Sequence, residues 1–316
     1  MMFAYILRRL AFAAVTLWLA TLLVFGALLL IPGNPAQAIL GIDATPADVA
    51  ALEHRLGLDK PPLERYLNWL GGVLRGDLGQ SIRYETSISG LIVARLGITL
   101  PIVIAALLLA TLIAVPLGIL AARRVGSWAD IAVSLGSLVG IVLPSFWAGL
   151  MFIYIFIVWL KLPLPSSFPI GGWKDPARAI AALVLPVLTV GLASSSLLVR
   201  LVRGSVLEVL HQDYVRTALA KGLSERVVLY KHALRNAALP VVTVLGLEFA
   251  QLLIATVVVE TVFGIPGLGS LSLLAISARD YPLVQGVVLT IAAFIVLLNL
   301  IVDLLYALLD PRVSYA

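Results

Sequence analysis

Six long apolar segments leave this chain few ways to fold. They run over approximately 10–31, 98–121, 131–160, 180–202, 237–262 and 284–309. Each reaches the roughly 20 residues a helix needs to cross hydrocarbon. Inside lipid the backbone must satisfy its own hydrogen bonds, so only helices and closed barrels can span. Uninterrupted apolar runs of this length favour helices. Composition agrees, with 61% hydrophobic and 12% charged residues; an ordinary soluble domain carries about 25% charged. A water-borne fold of this size could not bury so much apolar surface. The expected fold class is an all-α polytopic membrane protein with six transmembrane helices.

The net charge of +5 fits the basic bias of cytoplasmic loops. Nucleic-acid binding is disfavoured, because no basic stripe is interleaved with aromatics. Cysteine is absent, which excludes disulfides, thiolate nucleophiles and cysteine metal sites. Arg8 and Arg9 precede the first apolar run and Ala36-Gln-Ala38 follows it. That run, about 22 residues, exceeds the 7–15 of a signal peptide and reads as a retained anchor.

Lysine and arginine counts set the orientation. With the N-terminus inside, the inner segments hold eleven (Arg8, Arg9, Arg123, Arg124, Arg203, Arg216, Lys221, Arg226, Lys231, Arg235 and Arg312), and the two short outer loops hold four. The loop over 32–95 holds six, but loops of about 60 residues or more hardly count. Both termini are expected in the cytoplasm.

Three parts follow: the N-terminus and first span (1–31), an extracytoplasmic cap (32–95), and a five-span core (96–316) containing a cytoplasmic loop at 204–236. In the cap, Thr45-Pro46-Ala47-Asp48 reads as an N-cap, an N1 proline and an acid at the helix start. Gly57 is a plausible stop. A second helix is expected from Pro62 to Leu74, with Leu63, Tyr66, Leu67, Leu70, Val73 and Leu74 on one face. The cap is either a lid packed on the bundle or a surface for an outer partner. The stretch 161–173 is too rich in proline and glycine for a helix.

Motifs for chemistry are sparse. No phosphate-binding P-loop and no His-Glu-x-x-His occur, and His54, His211 and His232 form no ligand set. No catalytic residues, metal site or cofactor site are expected in this chain. Gly264–Gly269 reads as an outer turn ended by Pro266. Glu248, Glu260, Arg200 and Asp303 are ionisable groups within spans. A charge at a helix centre costs about 2.5–3.5 kcal/mol on insertion scales, so such groups face the interior or a water path. Glu260 and Arg200 lie near span ends, where snorkelling is the simple expectation. Glu248 is deeper and is either a pathway residue or a hydrogen-bonded structural carboxylate. Gly136 and Gly140 fit a close-packing Gly-x-x-x-Gly pattern. Pro116, Pro144 and Pro186 are expected to interrupt their spans.

The loop at 213–240 stands apart as a polar island. A helix is expected over Glu208–Lys221, a sharp turn at Gly222, and a second helix capped by Ser224 with Glu225 in its first turn. Val227, Tyr230, Lys231 and Leu234 would share a face. Such a short basic, apolar helix suits a groove on another protein, or anionic headgroups.

These residues resemble the cytoplasmic loop motif of ATP-binding-cassette (ABC) importer permeases, Glu-Ala-Ala-x-x-x-Gly followed by Leu-Pro. Gly222 takes the glycine position. Arg216, Thr217 and Ala218 stand at the Glu-Ala-Ala positions, so the glutamate is absent, and Leu239-Pro240 lies five residues beyond its usual distance. Both departures resemble the dipeptide, oligopeptide and nickel branch, the binding-protein-dependent transport family. So do Tyr5-Ile-Leu-Arg-Arg9, Ile31-Pro-Gly-Asn-Pro35, Gly76-Asp-Leu-Gly79, Pro144-Ser-Phe-Trp147, Asp213–Thr217, Val259–Gly264 and Leu304–Pro311. The resemblance covers essentially the whole chain.

It implies a type I ABC importer permease fold in the inner membrane of a bacterial cell, paired with a second homologous permease subunit. Two cytoplasmic ATPase subunits would bind ATP and Mg, and an extracytoplasmic substrate-binding protein would deliver cargo. Arg216, Thr217, Ala218 and the stretch Gly222, Leu223, Ser224, Glu225, Arg226, Val227 to Tyr230 would meet the ATPase. The cargo would be di- or oligopeptides, while relatives of this type also carry nickel chelates, glutathione or opines. A self-sufficient secondary transporter is the rival class; it would need charge relays, and none is evident.

Overall fold

A computed structural model describes residues 2–30, 35–40, 44–165, 167–224, 227–229 and 234–309. The described residues are helical and contain no β-strand, only an isolated antiparallel bridge between Gln80 and Ser87. The helices are α1 (Met2–Leu29), α2 (Pro35–Leu40), α3 (Pro46–Leu56), α4 (Pro62–Val73), α5 (Ile88–Arg123), α6 (Trp128–Val142) and α7 (Ser145–Phe152). There follow α8 (Pro176–Leu210), α9 (Asp213–Ala220), α10 (Leu234–Val262), α11 (Leu268–Ser277) and α12 (Tyr281–Leu309).

Five of these, α1, α5, α8, α10 and α12, contain stretches long and apolar enough to cross a membrane. The segment expected as one span over 131–160 is instead broken, with α6 and α7 bent by 101°. Leu143 adopts an extended conformation (φ −69°, ψ 122°) at the break, as a residue before proline prefers. Wide π-helical turns (Ile153–Trp159) then continue α7. Pro116 and Pro186 do not interrupt their spans; they lie inside continuous α5 and α8.

The chain divides into two compact units: Met1–Ile98 with Pro266–Leu300, and Thr99–Ile265 with Ile301–Ala316. In the first, a core forms from Ile88 and Ile92 of α5, Leu268, Leu271 and Ala275 of α11, and Leu283 and Val287 of α12. Helix α11 occupies a stretch expected to be loop; its apolar residues are short of a span, and burial against α5 and α12 orders them.

The cap starts as its sequence requires. Thr45 Oγ1 accepts from the Asp48 N–H, and Asp48 accepts from the Thr45 N–H, a capping box. Gly57 ends α3 at φ +65°. Helix α4 buries a face rotated from the expected one. Tyr66 is buried and packs with Phe25 and Trp69, while its hydroxyl bonds Thr21 at 2.9 Å. Leu63, Leu67 and Leu74 are exposed (69%, 56% and 80%). The aromatic rings drive this rotation, because they offer more area to bury than the leucines. The loop that follows is held by Asp280, 1% exposed. This carboxylate accepts from the Ser81 hydroxyl at 2.5 Å, the Arg83 N–H at 3.1 Å and the Leu283 N–H at 3.2 Å.

The second unit packs α5, α6, α8 and α10. Ala110, Ala114, Leu198 and Val199 form one core cluster; small residues let helices approach closely. Of the expected glycine pair, only Gly140 serves this purpose. A Cβ there would overlap the Ser196 side chain, whereas one at Gly136 would meet open space.

Candidate functional site

The polar island is built outward from the end of α8. The helix expected over 208–221 breaks at His211 and Gln212. The His211 Nδ1 lies 2.7 Å from the Leu207 carbonyl, and Gln212 is extended (φ −70°, ψ 147°). Asp213 then opens α9, where its charge suits the helix N-terminus. Helix α9 ends at Lys221, and Gly222 turns the chain at φ +85°. That conformation strains any residue with a Cβ, which explains glycine here. The Val228 N–H donates to the Ser224 carbonyl at 3.1 Å, starting the next turn.

Anchoring is apolar. Val215, Val228 and Leu229 are buried. Leu229 joins Ile119 and Ala122 of α5, Val202 and Val206 of α8, and Ala237 of α10 in one cluster. Helix α9 also meets α10 through a bond from the Asn236 amide to the Tyr214 hydroxyl, 2.7 Å. The opposite side is uncovered: Arg216, Thr217, Gly222, Leu223, Ser224 and Val227 are exposed, Ala218 is half-buried, and Tyr214 and Leu219 are exposed beside them. Glu225, Arg226 and Tyr230 lie outside the described residues. Apolar groups interspersed with Arg216 and Lys221, presented on a turn rooted in three long helices, make a surface suited to a partner.

The carboxylates have separate settings. Glu260 is fully buried (0% exposed) and accepts from the Thr99 hydroxyl at 2.5 Å. The expectation that it snorkels from a span end is therefore corrected: a hydroxyl on α5 satisfies it inside the bundle. Glu248 is buried close to Ser194 of α8. It does not line the cavity of about 530 Å³ formed by residues such as Ser137, Gly140, Thr189 and Ser196. Arg200 is exposed.

An ion pair escaped the sequence reading. Asp130, at the start of α6, takes a two-point bond from Arg203 of α8, with Nε at 2.6 Å and a second nitrogen at 2.9 Å. The Gly126 N–H adds a bond at 3.0 Å. Ser127 followed by Asp130 marks a helix start, yet nothing local identifies an arginine 73 positions away. The Asp280 clamp was likewise hidden. Among the described residues no group of three or more His, Asp or Glu could hold a metal ion.

Long apolar helices, a broken span and a protruding anchored turn define a multi-pass membrane transport subunit. The chain belongs to the family of binding-protein-dependent transport system inner membrane components, matched over residues 114–315, with the N-terminal component of the same family matched over 2–103. It is similar to the dipeptide transport system permease protein DppB of Escherichia coli K12, 40% identical with 99% of each chain covered. It is also similar to DppB of Alkalihalophilus pseudofirmus (39%, covering 99% of this chain and all of that one) and to the oligopeptide transport system permease protein AppB of Bacillus subtilis (39%, same coverage). Two solved structures share the fold. The MetNI methionine ABC transporter in inward-facing conformations gives a TM-score of 0.55 at 16% identity, covering 70% of this chain and 96% of that chain. An amino acid ABC transporter with histidines gives 0.51 at 17% identity, covering 71% and 94%. This chain is thus an ABC permease subunit, a membrane component that acts within a larger transporter.

Proposed function

We propose that this chain forms half of the translocation path of an ATP-driven importer for di- or oligopeptides. The observation that carries this reading is the uncovered apolar and basic surface around Gly222, rooted through Leu229 in α5, α8 and α10. A surface so rooted transmits a partner's movement to the spans. The full-length relatives named as dipeptide and oligopeptide permeases support the cargo class.

In this reading two cytoplasmic ATPase subunits grip the island, binding ATP and Mg. A second homologous permease completes the path, and an extracytoplasmic binding protein delivers peptide to the side bearing the cap. The basic residues near the island support an orientation with both termini in the cytoplasm. The exposed leucines of α4 supply an apolar surface for the binding protein. Transport then requires two bundle states, biased differently by ATP and by the loaded binding protein. Glu248 is the proposed polar point beside the path.

The test is uptake of labelled dipeptide by vesicles containing the assembled transporter. Gly222→Pro, or Arg226→Glu with Lys231→Glu, is expected to abolish uptake while membrane insertion stays normal. Normal uptake and normal ATPase co-purification in these variants would overturn the assignment. Reversal of sidedness in a cysteine-labelling assay of residues 213–224 would overturn the orientation.

A further inference from the structure

Within the first unit, a cavity of about 530 Å³ lies between the C-terminal end of α1 and the cap. Its volume falls in the range of roughly 300–1,000 Å³ typical of small-ligand sites. Its lining combines apolar groups, Phe25, Leu28 and Leu29 of α1 with Trp69 of α4, and the polar groups of His54, Lys60, Arg65 and Gln285. Among the described residues lining it there is no carboxylate.

The polar groups are unevenly committed. Lys60 is held by Glu64 at 2.8 Å. Arg65 lies over the Phe25 ring, 5.9 Å from its centroid, a contact that positions the guanidinium without neutralising it. Burial lowers the Arg65 pKa from its usual value, a shift that an adjacent anion would reverse. The Trp69 indole N–H is buried with no hydrogen-bond partner among the described residues. A buried donor of this kind is unfavourable until an acceptor arrives.

The apolar lining reaches the lipid-facing surface of α1 at Leu29, which borders the cavity and is 45% exposed; on a membrane-spanning helix acyl chains are what covers such a residue. The cavity therefore brings cationic groups next to a surface that lipid solvates. Free phosphate matches only the first of these, and a hydrocarbon chain only the second.

We propose that this cavity seats an anionic phospholipid, its phosphate paired with Arg65 and its upper acyl segment against Phe25, Leu28 and Leu29. A guanidinium can hold two phosphate oxygens at once. Asn68 and Gln285 donate to the remaining headgroup oxygens. The lipid ties the end of the first span to the cap. This site is independent of cargo and of the ATPase surface.

The experiment uses the assembled transporter in phosphatidylcholine nanodiscs titrated with phosphatidylglycerol, with bound lipid read by native mass spectrometry. Saturable binding of phosphatidylglycerol is expected. Arg65→Gln should weaken it about tenfold, the loss of one charge-assisted contact. Asn68→Glu, at an exposed position that leaves the Arg65–Phe25 contact in place, should weaken it comparably by adding a like charge. Melting curves confirm that both variants fold, and Arg65→Lys should retain part of the binding. Millimolar inorganic phosphate or a dipeptide should not displace the lipid. Unchanged binding in both variants, or displacement by free phosphate or by dipeptide, would overturn the proposal.

Discussion

The cap and the Gly222 island are both polar protrusions between spans, yet they are fastened in opposite ways. The cap is keyed by directed bonds: Asp280 receives Ser81, Arg83 and Leu283, and Thr21 meets Tyr66. The island rests chiefly on packing, with Leu229 and its neighbours as the root. Hydrogen bonds to a buried carboxylate fix register, because a small shift leaves donors unpaired. Apolar contacts tolerate sliding, because each atom pair contributes little and has no direction. Under the proposed function, the part that would hold still and the part that would move differ in this choice.

Substitutions put that contrast to the test. Asp280→Ala carries the largest expected effect, a loss of about 3–4 kcal/mol of local stability, since three donors lose a charged acceptor. Hydrogen exchange of residues 78–90 in the purified complex measures it; protection equal to the parent protein would show that the cap is not keyed by this residue. Leu229→Ala should follow at about 2–3 kcal/mol, the ordinary range for a buried leucine. Its exchange should rise in the island and leave residues 78–90 unaffected. Gly222→Ala ranks third, at about 1–2 kcal/mol for a Cβ in the left-handed region. There, ATP-driven uptake should fall further than thermal stability. Leu67→Ser should change the melting temperature least, within about 0.5 kcal/mol for an exposed site. Weakened docking of a binding protein in that variant would mark the α4 leucines as contact surface, and unchanged docking would remove them from it.

How much of this was legible depended on whether the cause was local. The capping box of Thr45 and Asp48, the stop at Gly57 and the turn at Gly222 were readable, because each depends on one or two adjacent residues. The fold class followed from apolar run lengths. Prolines were a poorer guide: Pro144 breaks its span and Pro186 does not. A proline removes one N–H and crowds one carbonyl, and the surrounding helices decide whether the gap is tolerated. The α4 face was read in part: Tyr66 is buried and Leu70 and Val73 are half-buried as expected, while Leu63, Leu67 and Leu74 are exposed and Trp69, outside the expected face, packs with Tyr66 instead. The pairs Asp130–Arg203, Thr99–Glu260 and Ser81–Asp280 join residues far apart in the chain. No spacing rule reaches across such distances.

Helix α8 has 35 residues without a break, which at 1.5 Å per residue is about 52 Å. The hydrocarbon it crosses is only about 30 Å deep. Roughly 20 Å of rod therefore stands clear of the lipid tails. Asp213 follows its end almost directly, so a partner gripping the island, as proposed above, would work with a moment arm. A sideways step of about 3 Å at that tip tilts the whole rod by only about 3°, a rotation that packed helices accommodate by small side-chain adjustments rather than by unfolding.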